Sequence, residues 1–281
     1  MNERILTAGS LTLFREHLLE EERSSATIEK YVRDITSFIR YAGESTLSKE
    51  LIIGYKNKLI GEGYAVSSIN SMLAGLNSLL AFFGWYDLRV KLIRLQRRAF
   101  CSEDMELSRE EYVRLVCAAD ENGNERLSLI LQTICGTGIR ISELQSITVE
   151  NVRKGEAVVS CKGKTRVIFI VRDLQKKLLR YARQHGISAG CVFITRSGRP
   201  VSRTNVWRDM KALCDQANVN PKKVYPHNLR HLFARVFYGI EKDLSALADV
   251  LGHSNINTTR IYIVSTGVEH RRRMENMHLI L

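Results

Sequence analysis

The sequence predicts a mainly α protein: an N-terminal four-helix bundle, then a mostly helical second domain with one small antiparallel β-sheet. Three observations predict it. Apolar residues recur at helical spacing through residues 10–95 and again from residue 107 onward. Between Val152 and Val171 the period changes to two and tight-turn residues appear. The chain has 281 residues, 44% hydrophobic, with only three prolines and no low-complexity run, which is enough for one large domain or two modest ones with real cores.

Each element follows in order. Leu11, Phe14, Leu18 and Leu19 make a first helical stripe. Ser25 precedes the second, through Ile28, Tyr31, Val32, Ile35, Phe38 and Ile39, and Gly43 stops it. Leu51, Ile52, Tyr55 and Leu59 form the third, ending at Gly61-Glu62-Gly63. Ile69, Met72, Leu73, Leu76, Leu79, Leu80 and Phe83 form the fourth. Residues 94–106 are charged and non-periodic, so the expected division is residues 1–95, a linker at 96–106, and a second domain at 107–281. Ser108 with Glu111 three residues on is a capping box. A helix over Arg126–Cys135 follows, then a sheet over Val152–Val171 with tight turns at Lys154-Gly155 and Lys162-Gly163-Lys164. Helices resume at Leu174–His185, Val206–Ala217, Asn228–Tyr238 and Leu244–Leu251.

Charge narrows the partner. There are 42 basic and 30 acidic residues, a net charge of +12; residues 1–95 hold 12 and 11 of these, so the surplus lies almost wholly in the second domain. A one-sided basic surplus fits a polyanion, most often nucleic acid, although a soluble protein of high pI explains charge alone as well. The six cysteines, Cys101, Cys117, Cys135, Cys161, Cys191 and Cys214, contain no zinc-type pair and are expected as buried thiols in a reducing cytosol. The first residues do not read as a charged segment followed by an apolar one, so no secretory leader is expected, and no apolar run approaches membrane length.

Four stretches carry chemistry. In "LGHSNINTTRIYI" (Leu251–Ile263), Gly252 fits the position just past a helix end, His253 follows, and Asn257 is the expected N-cap of a short, marginal helix leading to Tyr262. A lone tyrosine is more often simply packed with its hydroxyl exposed. In "YPHNLRHLFA" (Tyr225–Ala234), His227, Arg230 and His231 fall on one helical face. Two histidines at that spacing imitate a zinc helix, but Asn228 stands where the metalloprotease base would be and an arginine shares the face, which suits an anionic oxygen better than a metal. In "GTGIRISEL" (Gly136–Leu144), glycines let the backbone deliver Arg140 into a cleft, and Glu143 could hold it in one rotamer. In "CKGKTR" (Cys161–Arg166), lysines sit at a hairpin tip, where they are commonly just solvated. Together these supply two arginines, two or three histidines, a lysine and a tyrosine, with no carboxylate cluster for Mg²⁺. Paired arginines can neutralise a phosphoryl group in place of a metal.

The order and spacing of "TGIRISEL", "HNLRH" and "LGHSNINTTRIY" resemble the three motifs of the tyrosine recombinase (phage integrase) family, across roughly residues 107–265. The four-helix region resembles that family's core-binding domain, and the layout is similar to short Xer-type recombinases. The resemblance implies a site-specific recombinase that needs no cofactor. Tyr262 would attack a scissile DNA phosphate, giving a 3′-phosphotyrosyl bond and a free 5′-hydroxyl. Arg140 and Arg230 would hold the non-bridging oxygens, His227 would share the tyrosine proton, and His253 would hydrogen-bond a phosphate oxygen. Lys162 would be the acid for the leaving oxygen, with Lys164 the alternative, because the hairpin is one residue shorter than the family's pattern. Glu143 and His231 would support these. Leu232 and Arg235 depart from the family's usual residues, at positions of packing more than chemistry. The implied partner is double-stranded DNA bearing recombination sites, with a homotetramer on two sites in the cytoplasm and no membrane. The apolar residues Met274, Met277, Leu279, Ile280 and Leu281 of the tail would dock on a neighbouring protomer or on their own domain. Arg203, Asn205 and Arg208 are candidates for groove or phosphate contacts. The rival readings are a type IB topoisomerase-like enzyme, a catalytically silent DNA-binding regulator and, last, a zinc hydrolase.

Overall fold

The computed structural model describes residues 4–94, 105–161, 164–253, 255–262 and 276–277. The chain divides into two compact units, Met1–Arg97 and Arg98–Leu281, each with its own hydrophobic core.

Unit 1 contains α1 (Ala8–Glu20), α2 (Ser25–Ala42), α3 (Lys49–Gly61) and α4 (Val66–Phe82). Thr7, Ser24 and Ser48 cap the first three by accepting hydrogen bonds from backbone amides of the first turn. The apolar stripes read from the sequence meet inside: Phe14, Leu18, Ile35, Phe38, Ile52, Leu73, Leu76, Leu79 and Leu80 are almost completely buried. Leu19 is the exception, 57% exposed one position off the stripe. The segment after α4 is strapped to it by two side-chain amides. Asn77 exchanges hydrogen bonds with both backbone groups of Val90, and Asn70 does the same with Ile93. The fold class expected for this region is the one observed.

Unit 2 opens with α5 (Arg109–Glu121) behind the expected Ser108–Glu111 capping box, and α6 (Glu125–Thr137). Eight residues of α6 are buried, on all sides, as befits a helix at the centre of a core. A 3-10 turn (Ile141–Ser146) leads to α7 (Val149–Lys154) and the hairpin of β1 (Glu156–Cys161) and β2 (Lys164–Phe169). The strands pair antiparallel, with Val159 opposite Arg166 and Ala157 opposite Ile168. Then come α8 (Arg172–Gln184), α9 (Arg203–Ala212), α10 (Pro226–Glu241), α11 (Leu244–Leu251) and α12 (Ile256–Arg260), with α10 packed on α6.

Three expectations need correction. The sheet begins at Glu156, not Val152: Val152 is buried on α7, whose C-terminus closes on Gly155 at φ 82°. A Cβ there would sit 2.7 Å from Nε2 of Gln175, which donates to the Val152 carbonyl. The cap of α12 is Asn255, whose side chain accepts from the amide of Asn257, so Asn257 is inside the helix. The cysteines are not all buried. Cys214 is, Cys135 and Cys191 are partly so, and Cys117 is exposed on α5; all four are free thiols. Among the described residues no helix is long and apolar enough to cross a membrane.

Candidate active site

The end of α11 organises the site. Gly252 adopts a left-handed conformation (φ 66°) that ends the helix, and the amide of His253 turns back to the carbonyl of Ala248. The last carbonyls of α11 stay free for side-chain donors, and they draw cations. Arg230 on α10 takes one of them. Its Nη2 donates to the Leu251 carbonyl at 2.7 Å, and its Nη1 donates to the carbonyl of Gly138, the C-cap of α6. Arg230 is wholly buried, and no carboxylate partners it among the described residues. Its Nε is buried with no hydrogen-bond partner among the described residues. Burial and the charge of Arg140 push its pKa down to about 10, so it remains a cation at neutral pH.

Gly138 has a second task. At φ 64° a Cβ would lie 2.5 Å from the Phe233 ring, so only glycine lets α10 approach α6 here. Two residues later Arg140 stands at the start of the 3-10 turn, one-third exposed. Its backbone amide donates to Oε2 of Glu143 at 2.7 Å and its Nη1 to Oε1 at 3.0 Å. The expected Arg140–Glu143 pair is therefore present. Glu143 itself is buried, and its carboxyl is held below the usual carboxylate range by bonds from Arg140 and Arg166 that outweigh burial.

His253 follows the glycine turn. Its Nε2 lies 3.0 Å from Arg230 Nη2, a donor, and its Nδ1 lies 2.9 Å from the hydroxyl of Thr259. That pattern is a neutral imidazole with the proton on Nδ1. Burial and the neighbouring arginines hold its pKa down to about 4. Thr259, fully buried, ties α12 to this histidine, and the turn after α12 carries Tyr262.

The Tyr262 ring is 5% exposed and packs with Ala234, Leu247 and Leu251. Its hydroxyl is 3.4 Å from Nε2 of His227, the second residue of α10. Its ring stacks on His253 at 5.3 Å and lies 4.3 Å from His231. His227 presents an exposed edge, while the protein behind it and the charges of Arg230, Arg140 and Arg203 lower its pKa. His231 is pushed further, to about 3, chiefly by burial.

Arg140, His227, Arg230, His253 and Tyr262 thus come together from three distant segments. Lys162 lies outside the described residues, and Lys164 opens β2 with its Cα paired to that of Cys161. Two neighbours escaped the sequence reading. Thr259 carries no sequence signal beyond its place in the short helix before Tyr262. Arg166 donates to Glu143 Oε2 at 2.6 Å and to the Val250 carbonyl at 2.5 Å. Its signal was present: Arg166 shares strand parity with the buried Ile168 and Ile170, and a charge on the inward face of a strand needs a partner. A cleft of about 430 Å³ opens beside it, lined by Arg140, Glu143, Thr165, Arg166, Gly252 and His253. Among the described residues no three His, Cys, Asp or Glu side chains are grouped to hold a metal ion.

Such an arrangement can receive an anion: a phenol stands next to an imidazole, and the guanidinium groups have donors fixed by backbone carbonyls and one carboxylate. The model of the phage integrase family matches residues 106–267, and that of its N-terminal SAM-like domain matches residues 11–85. The chain is similar to the tyrosine recombinase XerA of Pyrococcus furiosus, 26% identical over all of this chain and 98% of the other. It is similar also to the tyrosine recombinase XerD of Halalkalibacterium halodurans, 28% identical over 93% of this chain and 95% of the other. Its fold resembles a lambda integrase dimer bound to a COC′ core site, with a TM-score of 0.74 at 16% identity, over 93% of this chain and 78% of that one. It also resembles the XerH recombinase bound to its difH substrate, with a TM-score of 0.66 at 16% identity, over 97% and 90%. With its catalytic family model covering more than half of its length, the chain belongs to the phage integrase family of tyrosine recombinases.

Proposed function

We propose that the chain cuts and rejoins duplex DNA at specific sites through a 3′-phosphotyrosyl intermediate. The observation that carries this reading is the Tyr262 hydroxyl 3.4 Å from a neutral His227, beside the buried cation Arg230. In the forward step the phenol oxygen of Tyr262 bonds to phosphorus as the bond to the 5′-oxygen breaks. His227 takes the phenol proton, for which its lowered pKa leaves it unprotonated at neutral pH. The leaving 5′-oxygen takes a proton from the hairpin lysine, Lys162, with Lys164 the alternative. Arg140 and Arg230 take the charge that develops on the non-bridging oxygens, and the spare Nε–H of Arg230 suits that task. His253, held by Arg230 at Nε2 and by Thr259 at Nδ1, borders the same oxygens in this reading. Rejoining runs these steps backward with a 5′-hydroxyl of another strand, and the energy of the broken bond is kept in the tyrosyl ester.

In this reading residues 1–95 and 107–281 hold the duplex as two domains joined by 96–106, and four copies assemble on two sites. The tail from Arg271, of which only residues 276–277 are described, would dock on a neighbouring copy or on its own domain. The protein works in the cytoplasm, in contact with the DNA. The test uses duplexes from the DNA flanking its own gene, nicked so that religation is blocked. The wild-type chain should give a denaturant-resistant adduct on the 3′ side of the cut. Tyr262→Phe should bind the same duplex and give none; an adduct from that variant would refute the nucleophile. Relaxation of plasmids lacking any such site would instead favour the topoisomerase-like reading.

A further inference from the structure

Arg166 belongs to none of the roles above. The argument for it rests on the reading that Arg140 binds a phosphate oxygen. Glu143 has both carboxylate oxygens engaged by Arg140, through Nη1 and through the backbone amide. A lone Arg140–Glu143 pair would be electrically neutral, and a phosphate would meet a guanidinium already satisfied in charge. Arg166 changes that sum. Its Nη2 bonds the same Oε2 that the Arg140 amide uses, so two cations share one carboxylate and one net positive charge remains. Of the two, Arg140 is the one left one-third exposed, while the Arg166 side chain is only 10% exposed.

The other end of the guanidinium is equally fixed. Nη1 of Arg166 donates to Val250, one residue before the carbonyl that holds Arg230 and three before His253. A Cβ at Gly252 would sit 2.3 Å from Cδ of Arg166, so the stem lies hard against the turn that delivers His253. One side chain on β2 therefore registers the lysine hairpin against Glu143 and against the end of α11. A purely structural role would not need this. Ile168 occupies the next inward position of the same strand, Ile170 just past its end is buried too, and a buried ion pair seldom adds stability over apolar packing.

We infer that Arg166 is a positioning residue for Arg140: it shares the charge of Glu143 and pins that carboxylate to the end of α11, so that Arg140 stays aimed at the phosphate with its pull intact. The test is single-turnover cleavage at saturating protein, on a normal scissile phosphate and on a methylphosphonate, which lacks the negative charge that Arg140 answers. On phosphate, Arg140→Gln should lose about 100-fold and Arg166→Gln about 10- to 100-fold, with DNA affinity little changed. On methylphosphonate both variants should come within about threefold of wild type, because less charge is left to neutralise. Arg166→Lys, which keeps a cation beside Glu143, should regain about tenfold on phosphate and stands in for the glutamine variant if that one does not fold. Equal slowing of the Arg166 variants on both substrates, with Arg140→Gln rescued, would overturn the inference and leave only a structural role. Failure to rescue Arg140→Gln as well would overturn the Arg140 reading, and this inference with it.

Discussion

The two units of this chain bury different things. In unit 1 the described interior is made of hydrophobic side chains alone, and its polar side chains act as caps and straps at the surface. In unit 2, Ser128, Thr133, Thr137, Glu143, Asn228, Arg230 and Thr259 are all buried. Some of these are ordinary. Thr133 and Thr137 return their hydroxyls to carbonyls four residues back, and Asn228 donates to the carbonyls of Lys223 and Met105. Glu143 and Arg230 are different, since each is held by groups far away in sequence; Thr259 is held by His253 six residues back, and all three border Tyr262 or Arg140. Burial of charge is costly, so it concentrates where chemistry needs it.

That contrast can be broken by substitution. Arg230→Ala should be the most severe change outside the tyrosine. It leaves the carbonyls of Gly138 and Leu251 without their donor and removes the buried cation. Adduct formation should fall at least ~100-fold, and unit 2 should lose about 3 kcal/mol. Phe38→Ala is the counterpart in unit 1. Phe38 is fully buried, and the cavity should cost about 3–5 kcal/mol, yet the rate of adduct formation by bound protein should barely change. The two tryptophans, Trp85 and Trp207, lie one in each unit, so fluorescence during denaturation in single-tryptophan variants reads each unit separately. Equal effects of either substitution on both reporters would erase the contrast.

The smallest effect expected is that of acid. His231 and His253 are held near 3 and 4 in the folded protein but titrate near 6.5 when unfolded. Below that value the unfolded chain binds more protons, so their contribution is complete above about pH 6.5 and falls away toward the folded values. Between pH 7 and pH 5 unit 2 should lose about 2 kcal/mol, most of it from His231, with the half-exposed His253 discounted for solvent screening, seen as an earlier midpoint at Trp207. Trp85 should report a smaller change. A gain in stability on acidification would mean that these histidines are charged in the folded state.

The same contrast governs what the sequence could reveal. Unit 1 was readable because helical stripes are local signals, although the cap of α2 is Ser24 and Ser25 is its first residue. The motif residues of unit 2 were readable too, and the Arg140–Glu143 bond needs only three residues of chain. For Arg166 strand parity shows only that a partner is needed; the partners themselves lie 23 and 84 positions away, and only the fold brings them together. Val152 misled because an apolar residue before a glycine turn fits a strand start and a helix end equally well. Asn257 misled because Asn255, two residues earlier, is an equally good cap, and packing of Thr259 on His253 decides between them.

Arg230 rests its guanidinium on the open ends of two helices rather than on an acid. A carboxylate partner would have to be pulled away, or outcompeted, each time DNA arrived. Backbone carbonyls hold the group without cancelling it, so dehydration of the cation is settled once, as the chain folds. A DNA phosphate bound there, as proposed above, would meet a positive charge already dehydrated and held in place.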